Sequence, residues 1–285
     1  LWLAEWIVRA KPGWRRLRLR ESVETFASMV QIEMDLRMEA AAASELAENF
    51  YDDTSYRVPA IDWARTSRRV LTTERVFGTP IDQAQELASA GHNLDTVLQS
   101  ASKAMFKQVF RDGFFHGDPH PGNLFVDPDG AINAVDFGIM GRLDRQSRRY
   151  LAEMVLSILT RDYEKAAHLH FQAGFVPKDK SVAAFTLALR SIAEPILDKP
   201  ASEISIGRLL GQLFHITETF GMETQPHLLL LQKVLVVAEG VGRTLNPEVN
   251  MWQEAQPLLE GWVIANKNPE SHVRELGILA SEIIH

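Results

Sequence analysis

The order of apolar and polar positions divides the chain into a mixed segment, 1–78, and a mainly helical one, 79–285. Leu1 to Ala10 reads as a short helix, broken at Lys11-Pro12-Gly13 and followed by a basic stretch with Arg15, Arg16, Arg18 and Arg20. From Glu21 to Phe50, Glu, Ala, Met and Leu dominate, which predicts one long helix or two. Tyr56 to Pro59 and Arg69 to Thr73 are predicted as strands, the second β-branched and bounded by polar residues. Helices are predicted over Asp82 to Ala90 and Leu94 to Asp112. Beyond Leu143 the pattern is helical and punctuated by prolines. The apolar run Leu228 to Val237 is too short to span a bilayer and carries Gln232 and Lys233, so it reads as a buried helix.

One stretch departs from this helical texture. Leu124-Phe125-Val126 and the run Ala131 to Val135 flank Asp127-Pro128-Asp129-Gly130. Proline presets φ and glycine accepts positive φ, so a β-hairpin is expected. A hairpin returns the chain to where it left, which brings Asn123 and Asp136 to its open end. Asp118 lies on the loop feeding the first strand. An amide and two carboxylates gathered this way suit Mg²⁺ and phosphoryl transfer.

Composition narrows the field without choosing within it. A net charge of −7 and a pI near 5.7 argue against a nucleic-acid partner. The sequence contains no Cys, which removes disulfides, thiolate zinc sites and a Cys nucleophile. His116-x-Asp118-x-His120 offers a rival site for Zn²⁺ or Fe²⁺, since neutral imidazole suits both. Pro119 and Pro121 stiffen that loop, and no further motif with metal spacing accompanies it.

His116-x-Asp118, Asn123 and Asp136-Phe137-Gly138 resemble the catalytic and metal-binding loops of protein kinases in residue type and spacing. The wording His-Gly-Asp-Pro-His-Pro-Gly-Asn is similar to that of the AarF/UbiB (ADCK-type) atypical kinases. Glu33-Met-Asp35-Leu-Arg-Met-Glu39 resembles that family's acidic helix. Met222-Glu-Thr-Gln-Pro226, Leu231-Gln-Lys233 and Glu239-Gly-Val-Gly-Arg243 resemble the C-terminal region of bacterial UbiB proteins. The resemblance implies an α+β, helix-dominated, protein-kinase-like fold: mainly the helical C-terminal lobe, 79–285, with an incomplete N-terminal lobe, 1–78. It implies ATP and Mg²⁺ (or Mn²⁺) as cofactors, Asp136 and Asn123 as metal ligands, and Asp118 as the group orienting or deprotonating the nucleophile. His116 would hydrogen-bond backbone near the metal loop, His120 would lie near the phosphates, Phe137 would pack beneath the loop, and Gly138 would permit the turn. Glu39 would pair with the ATP lysine, and Glu33 and Asp35 would face a Lys-x-Gly-Gln element. Glu74, Arg75 and Val76 would form the adenine-binding hinge.

Read as helix alone, Asp35 and Glu39 share one face, where like charges repel by a few tenths of a kcal/mol. The family's Lys-x-Gly-Gln element, Ala-rich loop and lysine strand precede the acidic helix, and no Val-Ala-x-Lys strand lies before Glu33. A piece of a longer protein is therefore expected. The resemblance also implies a role in ubiquinone biosynthesis at the cytoplasmic face of the bacterial membrane, with biosynthetic proteins and polyprenyl lipid precursors as partners. The arginine cluster reads first as a solvated face and second as a contact for lipid headgroups. Two other classes remain open: a non-catalytic nucleotide- or lipid-responsive scaffold, and a small-molecule phosphotransferase.

Overall fold

The computed structural model describes residues 35–200, 203, 206–222 and 226–266. Glu33, the first predicted helix, the arginine cluster and residues 223–225 of the C-terminal motif lie outside the described residues.

Helix α1, Leu36–Asn49, begins where Asp35 caps it: the Asp35 side chain accepts from the Arg37 N–H at 3.2 Å. Its alanines continue the helix, as expected, and Ala40, Ala43 and Leu46 form the buried stripe at the three-residue spacing of a helix face. After β1 (Tyr56–Arg57) comes an irregular stretch. The strand expected at Arg69 to Thr73 does not form; that segment makes only the isolated bridges Ile61–Thr73 and Ser67–Val70. Its β-branched residues find no neighbouring strand among the described residues, and β propensity is realised only through such pairing.

The chain continues through β2 (Thr79–Pro80), α2 (Ala84–Ser89) and α3 (Leu94–Phe106), both helices falling inside their predicted ranges. Asn93 caps α3 through the Thr96 N–H at 3.0 Å. The last turn loosens into a π-helical segment, Lys107–Asp112, closed by Gly113 at φ 66°. That turn aims the buried Gln108 at the next strand, where its Oε1 accepts the His116 N–H at 2.9 Å.

Strand β3 (Phe114–His116) pairs antiparallel with β6 (Met140–Arg142), setting Phe115 opposite Gly141 and His116 opposite Met140. Between them lies the predicted hairpin, β4 (Leu124–Val126) and β5 (Ile132–Ala134), with Leu124 opposite Ala134. Asp127 fixes its turn by accepting from the Asp129 and Ala131 N–H groups, each at 3.0 Å, and from Arg57 at 2.6 Å. The larger sheet has the order β1-β5-β4-β2, with β1 parallel to β5 and the other pairs antiparallel. This sheet runs across the boundary drawn after residue 78.

Among the described residues six helices follow: α4 (Arg145–Leu159), α5 (Tyr163–Gln172), α6 (Val182–Leu197), α7 (Ile206–Thr219), α8 (Pro226–Leu245) and α9 (Met251–Asn266). Helix α8 contains the apolar run read as buried, and it buries a face rather than its circumference: Leu231, Val234, Val241 and Leu245 are inside while Leu235 is exposed. Val241 and Leu245 enter the main core beside Leu46, Phe50, Leu98, Ile132 and Phe137. Leu231 and Val234 pack instead with Phe115, Val109 and Leu143. Helix α8 thus braces both sheets.

Candidate active site

The site grows out of the hairpin's open end. The Val135 N–H donates to the Asn123 carbonyl at 2.9 Å, extending the ladder one step and setting Asp136 beside Asn123. A short 3₁₀ turn, Pro121–Asn123, precedes β4; proline at its first position is preorganised for such a turn. The Asn123 Nδ2 donates to the Asp118 carbonyl at 3.2 Å, which commits the amide nitrogen and leaves the amide oxygen for a ligand. Asp118, Asn123 and Asp136 are therefore held by one continuous set of backbone-directed bonds.

His116 ties that set together from beneath. It is 2% exposed, its Nδ1 accepts the Asp118 N–H at 3.1 Å, and its Nε2 lies 3.2 Å from the Val135 carbonyl. An accepting Nδ1 and a carbonyl facing Nε2 define one tautomer: neutral, with the proton on Nε2. Burial lowers its pKa, which keeps it neutral. Both ring nitrogens are engaged, so His116 cannot ligate Zn²⁺ or Fe²⁺ without giving up the bonds that shape the loop. His120 turns back on the turn it caps, its Nδ1 accepting the Gly122 N–H at 3.1 Å. Phe137 is buried in the main core with its ring 5.5 Å from that of His116.

Asp136, not Gly138, adopts the unusual backbone. Its φ of 63° is left-handed, a conformation that Asp tolerates better than most residues. The Gly138 N–H points back at Asp136 Oδ1 at 3.4 Å. The turn expected of the glycine is made two residues earlier, at Asp136, and is steadied by the buried Phe137 between them.

Helix α1 meets this loop once and the strand that follows it once. Glu39 Oε1 accepts the Phe137 N–H at 3.2 Å, and Glu45 holds Arg142 through two bonds of 2.9 and 2.8 Å. No lysine bonds to Glu39 among the described residues. Burial raises the Glu39 pKa, the Phe137 N–H offsets part of that, and the charge of Asp136 adds to it. Asp35 belongs to a different arrangement from the shared face expected of it. As the cap of α1 it pairs with Arg37, whose side chain draws the Asp35 pKa down to about 2.

The segment expected as the hinge lies at the turn end of the hairpin. The Glu74 N–H is already bonded to the Ala60 carbonyl at 2.8 Å, and the Arg75 guanidinium stacks on exposed Phe77. Glu74, Arg75 and Val76 line an open cavity of about 610 Å³ with Arg57, Asp127 and Asn133, at the turn end of the hairpin. The three-residue strands separate that end from Asn123 and Asp136 by roughly 10 Å.

One side chain without an assigned role enters the site. Lys233, from α8, places its Nζ 2.9 Å from Asp118 Oδ1. The Leu231-Gln-Lys233 match was visible in the sequence, but nothing local could reveal which loop the lysine reaches.

The same organisation recurs in known proteins. A profile of the ABC1 atypical kinase-like domain matches residues 1–170, and one of the UbiB helical domain matches residues 189–250. This chain belongs to the ABC1/UbiB atypical kinase family. It is 41% identical over 265 residues to a probable protein kinase UbiB of Klebsiella pneumoniae, covering 92% of this chain and 48% of that protein. A probable protein kinase UbiB of Erwinia tasmaniensis is 42% identical, with 92% and 49% covered. The chain thus spans about half the length of the curated relatives it matches. Among solved structures, the Rv3197–erythromycin complex from Mycobacterium tuberculosis aligns with a TM-score of 0.63 at 21% identity, over 85% of this chain and 62% of that one. This likeness supports the kinase-like α+β fold.

Proposed function

We propose that this chain belongs to a UbiB-type atypical kinase or ATPase that uses ATP and Mg²⁺ (or Mn²⁺). The observation carrying the reading is the bonded set Asp118–Asn123–Val135–His116, which holds two carboxylates and an amide oxygen at one end of a rigid hairpin. These oxygen groups fit a hard cation: Mg²⁺ takes one or two protein ligands and completes its shell with phosphates and water. Asp136 and Asn123 would hold it, and when bound the ion neutralises phosphate charge. Asp118, on the adjoining loop, would orient an acceptor hydroxyl or water and take its proton.

The lipid side of the reading is also a proposal: a role supporting ubiquinone biosynthesis, with polyprenyl precursors and biosynthetic proteins as partners at the cytoplasmic face of the bacterial membrane. Family membership supports it, and so does an apolar cavity of about 380 Å³ lined by Phe106, Phe110, Phe185, Leu189, Trp252 and Leu259. No described helix is long and apolar enough to cross a membrane.

A second reading, a nucleotide-responsive scaffold without turnover, is favoured by one observation: Glu39 spends its carboxylate on the Phe137 N–H. Thermal shift with ATP, with and without Mg²⁺, tests the site on this chain and on a polypeptide of the relatives' full length. A Mg²⁺-dependent rise that Asp136→Asn abolishes is expected. No rise in the longer polypeptide would sink the kinase reading. Binding without ADP release would favour the scaffold.

A further inference from the structure

Transfer of a phosphoryl group spreads negative charge over the phosphate oxygens, and fixed cations are the usual means of stabilising it. The segment from Asp118 to Asn123 contains no Lys or Arg. Its His120 turns Nδ1 onto the Gly122 N–H, and both ring nitrogens of His116 are engaged by the loop's own backbone. Charge stabilisation by the protein must come from another element.

Helix α8 supplies it. Leu231 and Val234 are buried against Phe115, which sits on the strand leading into the loop. Leu230 lies so close to Gly117 that a Cβ there would sit 2.9 Å from its Cδ2, so the glycine before Asp118 is what lets the helix approach. Lys233 follows Leu230 by three residues and therefore shares its face. Its Nζ meets Asp118 Oδ1 at 2.9 Å with the lysine side chain 47% exposed and the carboxylate 35% exposed. The helix is docked by its apolar packing, and an ion pair this open adds little to stability, so stability alone does not account for a lysine at this position. An ammonium has three donors, and Asp118 uses one.

From this placement we infer that Lys233 is a catalytic residue of the phosphoryl-transfer site, lent by the helical region to the kinase-like region. The inference rests on the kinase reading above and gives that site its phosphate-facing cation. One N–H of Lys233 keeps Asp118 aimed, and the others bind the terminal phosphate of ATP. In the step itself the acceptor oxygen bonds to the terminal phosphorus, and the bond from phosphorus to the bridging oxygen breaks with its electron pair leaving on ADP. The acceptor's proton passes to Asp118, and Lys233 stays protonated throughout. Where water is the acceptor, the products are ADP and inorganic phosphate.

The test uses the full-length polypeptide with Lys233→Met, which preserves side-chain length, and Lys233→Arg, which preserves charge. ADP release, Mg²⁺-dependent binding of ATP and of ADP, and melting are measured for each, beside Asp136→Asn. Lys233→Met should melt close to wild type and bind ADP as wild type does. It should lose about tenfold of the preference for ATP over ADP, and about 100-fold or more in kcat. Lys233→Arg should recover part of both losses, and it carries the test alone if the Met variant fails to fold. Unchanged ATP preference and kcat in Lys233→Met, with Asp136→Asn inactive, would overturn this inference and leave the kinase reading intact. A faster Lys233→Met would overturn it too, by making the lysine a restraint on Asp118. A wild type that neither binds nor turns over nucleotide would remove the kinase reading and this inference together.

Discussion

The Phe137 N–H donates to Glu39 Oε1 at 3.2 Å, so a carboxylate from α1 is bonded to the backbone of the Asp136–Gly138 loop. That contact makes the position of the helix and the shape of the loop one variable. Glu39 is thereby held near Asp136, a like charge, and away from bulk water, and both effects raise its pKa.

The linkage has a definite sign. Between the ordinary value of 4.5 and the raised one, the native chain binds a proton that the unfolded chain does not. Stability from this group is present below that ordinary value and is lost as pH rises through the raised one. Glu39→Gln keeps an acceptor for Phe137 and removes the charge. It should melt with wild type near pH 4 and on the order of 2 °C higher at pH 8. A wild type that is the more stable at pH 8 would show that a cation pairs with Glu39 in solution.

His116 titrates in the opposite sense. Its lowered pKa means that, below about 6.5, the unfolded chain takes up a proton the native imidazole refuses. Its contribution is therefore complete above that value and lost as pH falls through the native pKa. Glu39 and Glu239, with raised values, act against it over part of the same range, so the imidazole itself is the cleaner readout. Nitrogen-15 spectra should show the Nε2–H tautomer at pH 7.5 and a midpoint below 6.5. An Nδ1–H tautomer would contradict the bond from the Asp118 N–H.

Gly141 faces the ring of Phe115 across the β3–β6 pair, and a Cβ there would drive into that ring. Phe115 is 1% exposed and has nowhere to retreat. Gly141→Ala should cost about 1–3 kcal/mol, the usual range for overpacking, read as a lower urea midpoint with unchanged slope. Adding Phe115→Leu should return part of the loss; simple additivity of the two would mean that the backbone, not the ring, absorbs the methyl.

What could be read from sequence follows the range of the interaction involved. The hairpin was legible because Asp127-Pro-Asp-Gly130 is a local instruction, and the structure adds that Asp127 also binds Arg57. Asp35 was not, because the same residue type serves a helix interior face and a cap, and only the bond to the Arg37 N–H separates them. The Arg69 to Thr73 strand did not form because its composition calls for pairing, and among the described residues it makes only isolated bridges. Asp136 displaced Gly138 as the left-handed residue because burying Phe137 fixes which way the loop must turn. Lys233 was out of reach altogether: its contact with Asp118 is made by the packing of a distant helix.

The two family regions, 1–170 and 189–250, are matched separately, yet the interior of the first is finished by the second. Val241 and Leu245 sit in the same core as Leu46, Ile132 and Phe137, and Val234 closes the cluster around Phe115. Severed after residue 170, the kinase-like part would keep every one of its motif residues and still present an open seam of apolar side chains to water. Such a fragment would be sticky rather than minimal. A search for the smallest well-folded piece of this protein would have to count inward from the far end of α8.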